Sequence, residues 1–355
     1  MSGHNLSRRT FVAAAGAAPA AVMGMQGTPR QQTGPIRVVT MYKFEPQEIR
    51  TIQSAAKAPV EIVIAKDREE FRKLLREAEV VYGTLSGADL DFAPKLKWVQ
   101  WGAAGVEGMD AALKDHPVVV TNCARIFAPG ISETGMGLLL CLTRGIATYY
   151  MPQFARRQMK PVGTPKSADH VELAGKTMAI VGLGGIGSAM ARRAHYGFDM
   201  KIIATDAKPM PKPEYVAELH GPDYFMQMVP RADVLVSAAP LTPATRRMFN
   251  EQVFRSMKKT AYFIALSRGE LFDDMALVKA LKEGWIAGAG LDVFPQEPPP
   301  PSHPIFDCQN VVMTPHTSGW SPDRQTRLIE FIGENLRRYA SGLPLLNVVD
   351  KKAGY

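Results

Sequence analysis

TMAIVGLGGIG, residues 177–187, is the stretch whose reading decides the fold. Thr177 to Val181 is an apolar run that reads as a strand. Gly182-Leu183-Gly184-Gly185-Ile186-Gly187 then spells GxGxxG, and SAMARRAHY (188–196) reads as a helix. The pattern alone is weak evidence, but a strand before it and a helix after it are the context it requires. Such glycines allow a tight turn, close approach of the backbone to a pyrophosphate, and tight helix packing. The helix N-terminus then faces the phosphates. Asp206 lies at the end of the next apolar run, MKIIATD (200–206). An acid at that place binds the adenosine ribose hydroxyls and repels a 2′-phosphate, which favours NAD over NADP. Lys208 close by works against that preference. The bland alternative, a glycine-rich surface turn and a solvated Asp, leaves the flanking pattern unexplained.

Outward from this stretch the chain alternates. Before it lie IRVVTMY (36–42), VEIVIA (60–65), EVVYG (79–83), LKWVQW (96–101) and PVVVTN (117–122). A charged helical stretch, DREEFRKLLREAE, separates the second and third, and a long apolar helix is expected from Ile131 to Tyr150. After it come MKIIATD, ADVLVSAAP (232–240), AYFIALSRG (261–269), AGAGLDV (287–293) and NVVMTPH (310–316), then a last helix from about Pro322 to Ser341. Strands alternating with helices predict an α/β fold with parallel sheets. A chain of 355 residues is long enough for two domains. Its 46% hydrophobic and 21% charged residues fit a globular protein with a sizeable core. The net charge is +8 but includes no dense basic run, which disfavours nucleic-acid binding. Cys123, Cys141 and Cys308 show no CxxC spacing and the seven histidines no HxxxH pair, so no metal site and no disulfide framework are expected.

The front of the chain reads differently. Arg8 and Arg9 precede Phe11 to Met25, a weakly apolar run rich in Ala and Gly. Its 15 residues fall short of the roughly 20 needed to cross a bilayer, so no stable membrane anchor is expected. SRRTFV resembles the twin-arginine export motif, although the common following Lys is missing. Residues 1–30 are therefore expected to be a signal peptide and linker, with the twin-arginine translocase as partner and the periplasm as destination. Without that signal the chain would be cytoplasmic. The route carries folded proteins, so an enzyme could leave with its cofactor aboard.

Three further residues stand at or just beyond strand ends, where ligands bind in open α/β sheets. Arg268 sits in ALSRGELFD, Glu297 in LDVFPQEPPP, and His316 in VMTPHTSG. Singly, each has an ordinary reading: a surface Arg, a loop Glu, a His capping a strand. Together, in this order after GxGxxG, they resemble the D-2-hydroxyacid dehydrogenase family. The similarity runs from about Ile36 to Leu346. It is carried by GLGGIG, ADVLVSAAPLTPATRRMFN, ALSRGELFDDMALVKALKEGWIAGAGLDVFPQEP and NVVMTPHTSG.

The resemblance implies two Rossmann-like domains with a cleft between them. One is a discontinuous, flavodoxin-like substrate domain, residues 36–128 and 318–355. The other is a doubly wound NAD-binding domain, residues 129–317. It implies that His316 exchanges a proton with the substrate oxygen, that Glu297 stabilises the imidazolium, and that Arg268 polarises the carbonyl and holds the carboxylate. WGAAGVEGMD (101–110) would be the substrate loop, with N–H groups around Ala104 and Gly105 on the carboxylate. Asp292 would contact the nicotinamide amide. Ala239, Pro240, Leu266, Ser267 and Ser318 would line the cofactor. A homodimer formed through the nucleotide domain is implied as well.

Departures from the family pattern are visible. Ala265 stands where Asn is common, and Glu107-Gly108 where many relatives have Asp-Asn. Glu297 rather than Gln argues against the formate dehydrogenase branch. Trp101 and Trp320 flank the expected pocket in sequence. The expected activity is NAD(H)-dependent interconversion of a small 2-keto acid and its D-2-hydroxy acid, of the glyoxylate or hydroxypyruvate type. Two alternatives remain: an NAD(H)-binding redox sensor without turnover, and a dehydrogenase of another small anion such as phosphite.

Overall fold

A computed structural model describes residues 34–164 and 170–355. The twin-arginine signal expected at residues 1–30 lies outside the described residues.

The first sheet contains β1 (Ile36–Thr40), β2 (Val60–Ile64), β3 (Val80–Tyr82), β4 (Trp98–Gln100) and β5 (Val119–Thr121). Their order is β2-β1-β3-β4-β5, and every pairing is parallel. This is the flavodoxin-like order. The second sheet contains β6 (Thr177–Val181), β7 (Lys201–Thr205), β8 (Glu218–His220), β9 (Val234–Ser237), β10 (Tyr262–Ala265), β11 (Gly288–Leu291) and β12 (Val311–Met313). Its order is β12-β11-β10-β9-β6-β7-β8, again wholly parallel, the doubly wound arrangement of dinucleotide-binding proteins.

Continuous apolar strands follow from this layout, because helices cover both faces of a parallel sheet. In β6 the alternation is direct. Met178 and Ile180 face one core with Ile202 and Val236, while Ala179 and Val181 face the other with Leu235 and Phe263.

The helix expected over residues 131–150 is not continuous. A helix, α1, spans Ala128–Thr143 and ends at Gly145, whose φ of +64° places it in the left-handed region. The N–H of Gly145 returns to the Leu142 carbonyl at 3.1 Å, closing the helix end. A π-helical turn, Ile146–Tyr150, and a short helix, Met151–Ala155, follow. Strand β8 was not expected. It is a three-residue edge strand, ELH, with too little apolar pattern to announce itself.

A second helix, α2 (Gly185–Phe198), follows the glycine loop. The last, α3 (Pro322–Ala340), begins on the Ser321 side chain, which accepts from the Arg324 N–H at 3.1 Å, with Pro322 in the first turn. It returns to the first sheet. There Ile329, Ile332 and Leu336 share a core with Ile52 and Ala56. Asn335, fully buried, fixes the docking: its amide donates to Gln100 Oε1 (3.1 Å) and the Leu346 carbonyl (3.2 Å), and its oxygen accepts from Leu346 N–H (2.9 Å). The segment beyond runs along β5, with Val349 N–H on the Val120 carbonyl at 2.9 Å. It then lays the Tyr355 ring 4.2 Å from Lys208 Nζ, at the end of β7 in the other sheet.

Candidate active site in the cleft between the sheets

The two sheets order opposite each other across a cleft that the glycine loop enters from one side. In the second sheet the strand order reverses between β6 and β9, and ligands bind outside the strand ends at such a point. Gly182 has φ +89°, and a Cβ there would lie 2.7 Å from the Ala239 backbone at the end of β9. Glycine is therefore required. The expected Gly184, Gly185 and Ile186 line the cleft, and space beside Gly184 is open. Gly187 packs α2 onto β6, since a Cβ would collide with the Gly182 carbonyl. The first N–H groups of α2 thus have an anion seat in front of them.

Asp206 accepts from Leu183 N–H (2.7 Å) and from Lys208 N–H (2.8 Å), so its carboxylate holds the loop at the cleft edge. The Lys208 ammonium is covered by the Tyr355 ring and lies 3.3 Å from the Tyr355 carbonyl. Burial pushes its pKa down. Ala239, Pro240, Leu266, Ser267 and Ser318 line the same cleft. These residues fit a dinucleotide: a turn that tolerates no side chain, a helix N-terminus, and an acid at the ribose position.

His316 has φ +54°, unusual for a residue with a side chain. Asp292 holds it there. The His316 N–H donates to the Asp292 carbonyl at 2.8 Å. The buried Asp292 carboxylate accepts from Thr314 Oγ1 (2.7 Å), from the N–H groups of Thr317 and Ser318 (3.2 Å each), and from Ser318 Oγ. Asp292 sits behind the His316 turn with its carboxylate engaged there. His316 Nδ1 lies 2.7 Å from Glu297 Oε2, and Glu297 Oε1 accepts from Phe294 N–H at 2.8 Å. A carboxylate partner requires the proton on Nδ1, which leaves Nε2 for chemistry.

Arg268 leaves the end of β10. Its NH1 donates to the Ser267 carbonyl (2.8 Å) and its Nε lies 3.0 Å from Glu107 Oε1, across the cleft on the loop after β4. In that loop the Ala104 carbonyl accepts from Asn122 Nδ2 (2.7 Å) and the Ala103 carbonyl from Cys123 N–H (2.9 Å). The N–H groups of Ala104 and Gly105 have no acceptor among the described residues.

Other expectations are placed as follows. Trp101 is 4% exposed and belongs to the core under the loop, not to the cleft, because its side chain points inward from the strand end. Trp320 is 70% exposed at the cleft mouth. At Ala265 the parallel ladder continues past the strand ends: Leu266 N–H donates to the Ser237 carbonyl (3.1 Å) and Asp292 N–H to the Ala265 carbonyl (3.0 Å). Sequence reading missed the contact of Lys208 with Tyr355 and the packing of Arg125, at φ +75°, against Gly185. Neither has a local pattern, since each joins distant parts of the chain.

Residues 136–318 match the family model described as D-isomer specific 2-hydroxyacid dehydrogenase, NAD binding domain. A glyoxylate reductase from Korarchaeum cryptofilum is 35% identical over 264 residues, covering 73% of this chain and 78% of that one. The chain belongs to the D-isomer specific 2-hydroxyacid dehydrogenase family. Solved structures agree. An NADPH-dependent glyoxylate/hydroxypyruvate reductase from Sinorhizobium meliloti, in complex with NADP and sulfate, has a TM-score of 0.71 at 28% identity, covering 90% of this chain and 99% of its own. A D-isomer specific 2-hydroxyacid dehydrogenase from Xanthobacter autotrophicus Py2, in complex with NADPH and MES, has a TM-score of 0.73 at 25% identity, covering 91% and 100%. As a member of this family the chain is a nicotinamide-dependent 2-hydroxyacid oxidoreductase. No helix among the described residues is long and apolar enough to cross a membrane.

Replacing Gly182 by Ala tests the cradle. Steric conflict with Ala239, together with the left-handed backbone, should weaken NADH binding at least about tenfold, as read from the quenching or enhancement of NADH fluorescence. An unchanged affinity would place the dinucleotide elsewhere.

Proposed function

We propose that this dehydrogenase interconverts a small 2-keto acid, of the glyoxylate or hydroxypyruvate type, and its D-2-hydroxy acid with NAD(H), His316 exchanging the proton. The observation that carries this reading is His316, paired with Glu297 at 2.7 Å and lining one cleft with Arg268 and the glycine loop. The 35% identity to glyoxylate reductases supports the substrate class.

Gly182 to Gly187 and Asp206 would hold the dinucleotide. Bound there, the nicotinamide supplies or accepts the hydride. The rest of the chemistry falls to side chains and backbone. The N–H groups of Ala104 and Gly105 and the guanidinium of Arg268 bind the substrate carboxylate. Arg268 also polarises the carbonyl. In reduction His316 donates the Nε2 proton to the carbonyl oxygen as charge develops there, and in oxidation it removes the hydroxyl proton. Glu297 fixes the tautomer and the ring orientation. The His316 backbone, held in a sparsely populated region by Asp292, fits a strained residue kept for function.

Asp206 supports NAD as the cofactor. Its carboxylate would meet the ribose edge of a bound dinucleotide, and the neighbouring Lys208 is covered by Tyr355.

Two measurements check these roles. His316→Ala should lower kcat by about 10²- to 10⁴-fold, the usual worth of a general acid, with the Kd for NADH changed less than about twofold. Undiminished turnover would remove His316 from the chemistry. Asp206→Ser should raise kcat/KM with NADPH at least about tenfold relative to NADH, since one repelled charge is worth about 1.4 kcal/mol or more. Equal use of both cofactors by the native enzyme would contradict the NAD preference.

A further inference from the structure

The guanidinium proposed to hold the substrate carboxylate already holds a carboxylate. Glu107 Oε1 stands 3.0 Å from Arg268 Nε, and each side chain is 31% exposed. NH1 is turned to the Ser267 carbonyl at 2.8 Å. The edge of Arg268 nearest the substrate loop is thus taken by a residue of that loop. Gly105 permits the contact, because a Cβ at that position would fall on Arg268 NH2 and on both Glu107 oxygens. The unpartnered N–H groups of Ala104 and Gly105 lie in the same loop, three and two residues before Glu107. Chemically this is an anion seat with an internal anion on its cationic side.

We propose that Glu107 is an internal competitor for Arg268: a carboxylate that the substrate's carboxylate must displace, and hence a specificity-determining residue. The substrate class rests on the function proposed above. A half-exposed ion pair is weak, so displacement is feasible, and its cost appears as affinity of a few fold and not as a block. Once displaced, the Glu107 carboxylate remains beside the bound acid. It then disfavours a second negative charge on the substrate while tolerating hydrogen or hydroxymethyl next to the keto group. Glu107 thereby selects monocarboxylic 2-keto acids over 2-keto dicarboxylic acids, through charge repulsion within one pocket.

The test uses oxamate, a non-reacting analogue of a 2-keto monocarboxylate, titrated calorimetrically into the NADH-loaded full chain. Glu107→Gln should bind oxamate about fivefold more tightly than the native protein, since a pair of this strength no longer has to be broken. Glu107→Asp, whose shorter side chain withdraws the charge from Arg268, should also bind more tightly and serves if the first variant folds poorly. In turnover, Glu107→Gln should lower KM for hydroxypyruvate with little change in kcat, and should raise kcat/KM for oxaloacetate relative to hydroxypyruvate. Oxamate affinity that is unchanged or weaker in both variants overturns the proposal, as does absence of oxamate binding in every form. The two readings fail separately. Tighter oxamate binding in the variants with no turnover of any 2-keto acid by the native chain would sink the proposed function and leave Glu107 as the competitor. Native turnover with unmoved oxamate affinity would do the reverse.

Discussion

The Asp292 carboxylate is the interaction on which the His316 side of the cleft depends. Buried at the end of β11, it accepts hydrogen bonds from Thr314, from the Thr317 and Ser318 N–H groups, and from Ser318 Oγ. Those bonds force the chain through a left-handed turn at His316 and aim the imidazole at Glu297. A buried carboxylate stripped of such partners costs several kcal/mol, so the turn and the charge hold each other in place. The same turn starts the crossing back to the first sheet through α3.

The site is built from parts that no single sheet owns. The glycine loop and Asp206 come from the second sheet, the substrate loop from the first, and Arg268 meets Glu107 across the gap. Docking of α3 through the fully buried Asn335 fixes the returning segment, and Tyr355 reaches over to Lys208 beyond it. Geometry at the cleft is therefore sensitive to how the two halves are held.

Much of the fold was legible because parallel strands buried on both faces leave continuous apolar runs. Those runs, followed by helical stretches, predict eleven of the twelve strands among the described residues in the right segments. The exception, β8, is an exposed edge with one apolar residue, so burial left no mark on its sequence. The break of the long helix at Gly145 turned on a single left-handed residue inside an apolar run, where composition pointed to continuation. Within the site, the glycine loop and Asp206 were readable because their chemistry is local. His316 with Glu297 was readable only through the family resemblance, since the residues are 19 apart and meet by folding. The four donors that the local turn gives the Asp292 carboxylate left no mark in the sequence beyond the family resemblance. Trp101 flanks the pocket in sequence, and its side chain lies in the core of the first sheet. Glu107 showed in the sequence only as a departure from the usual residue, and its partner became visible with the fold.

In the proposed reaction a hydride passes to the C2 carbon of a 2-keto acid in this cleft. The most direct measurement supplies NADH doubly deuterated at nicotinamide C4 together with hydroxypyruvate, then analyses the product by mass spectrometry and chiral separation. The expected product is D-glycerate carrying one deuterium at C2, with NADH consumed in equal amount. Product without deuterium, L-glycerate, or NADH bound but never oxidised by any 2-keto acid would contradict it.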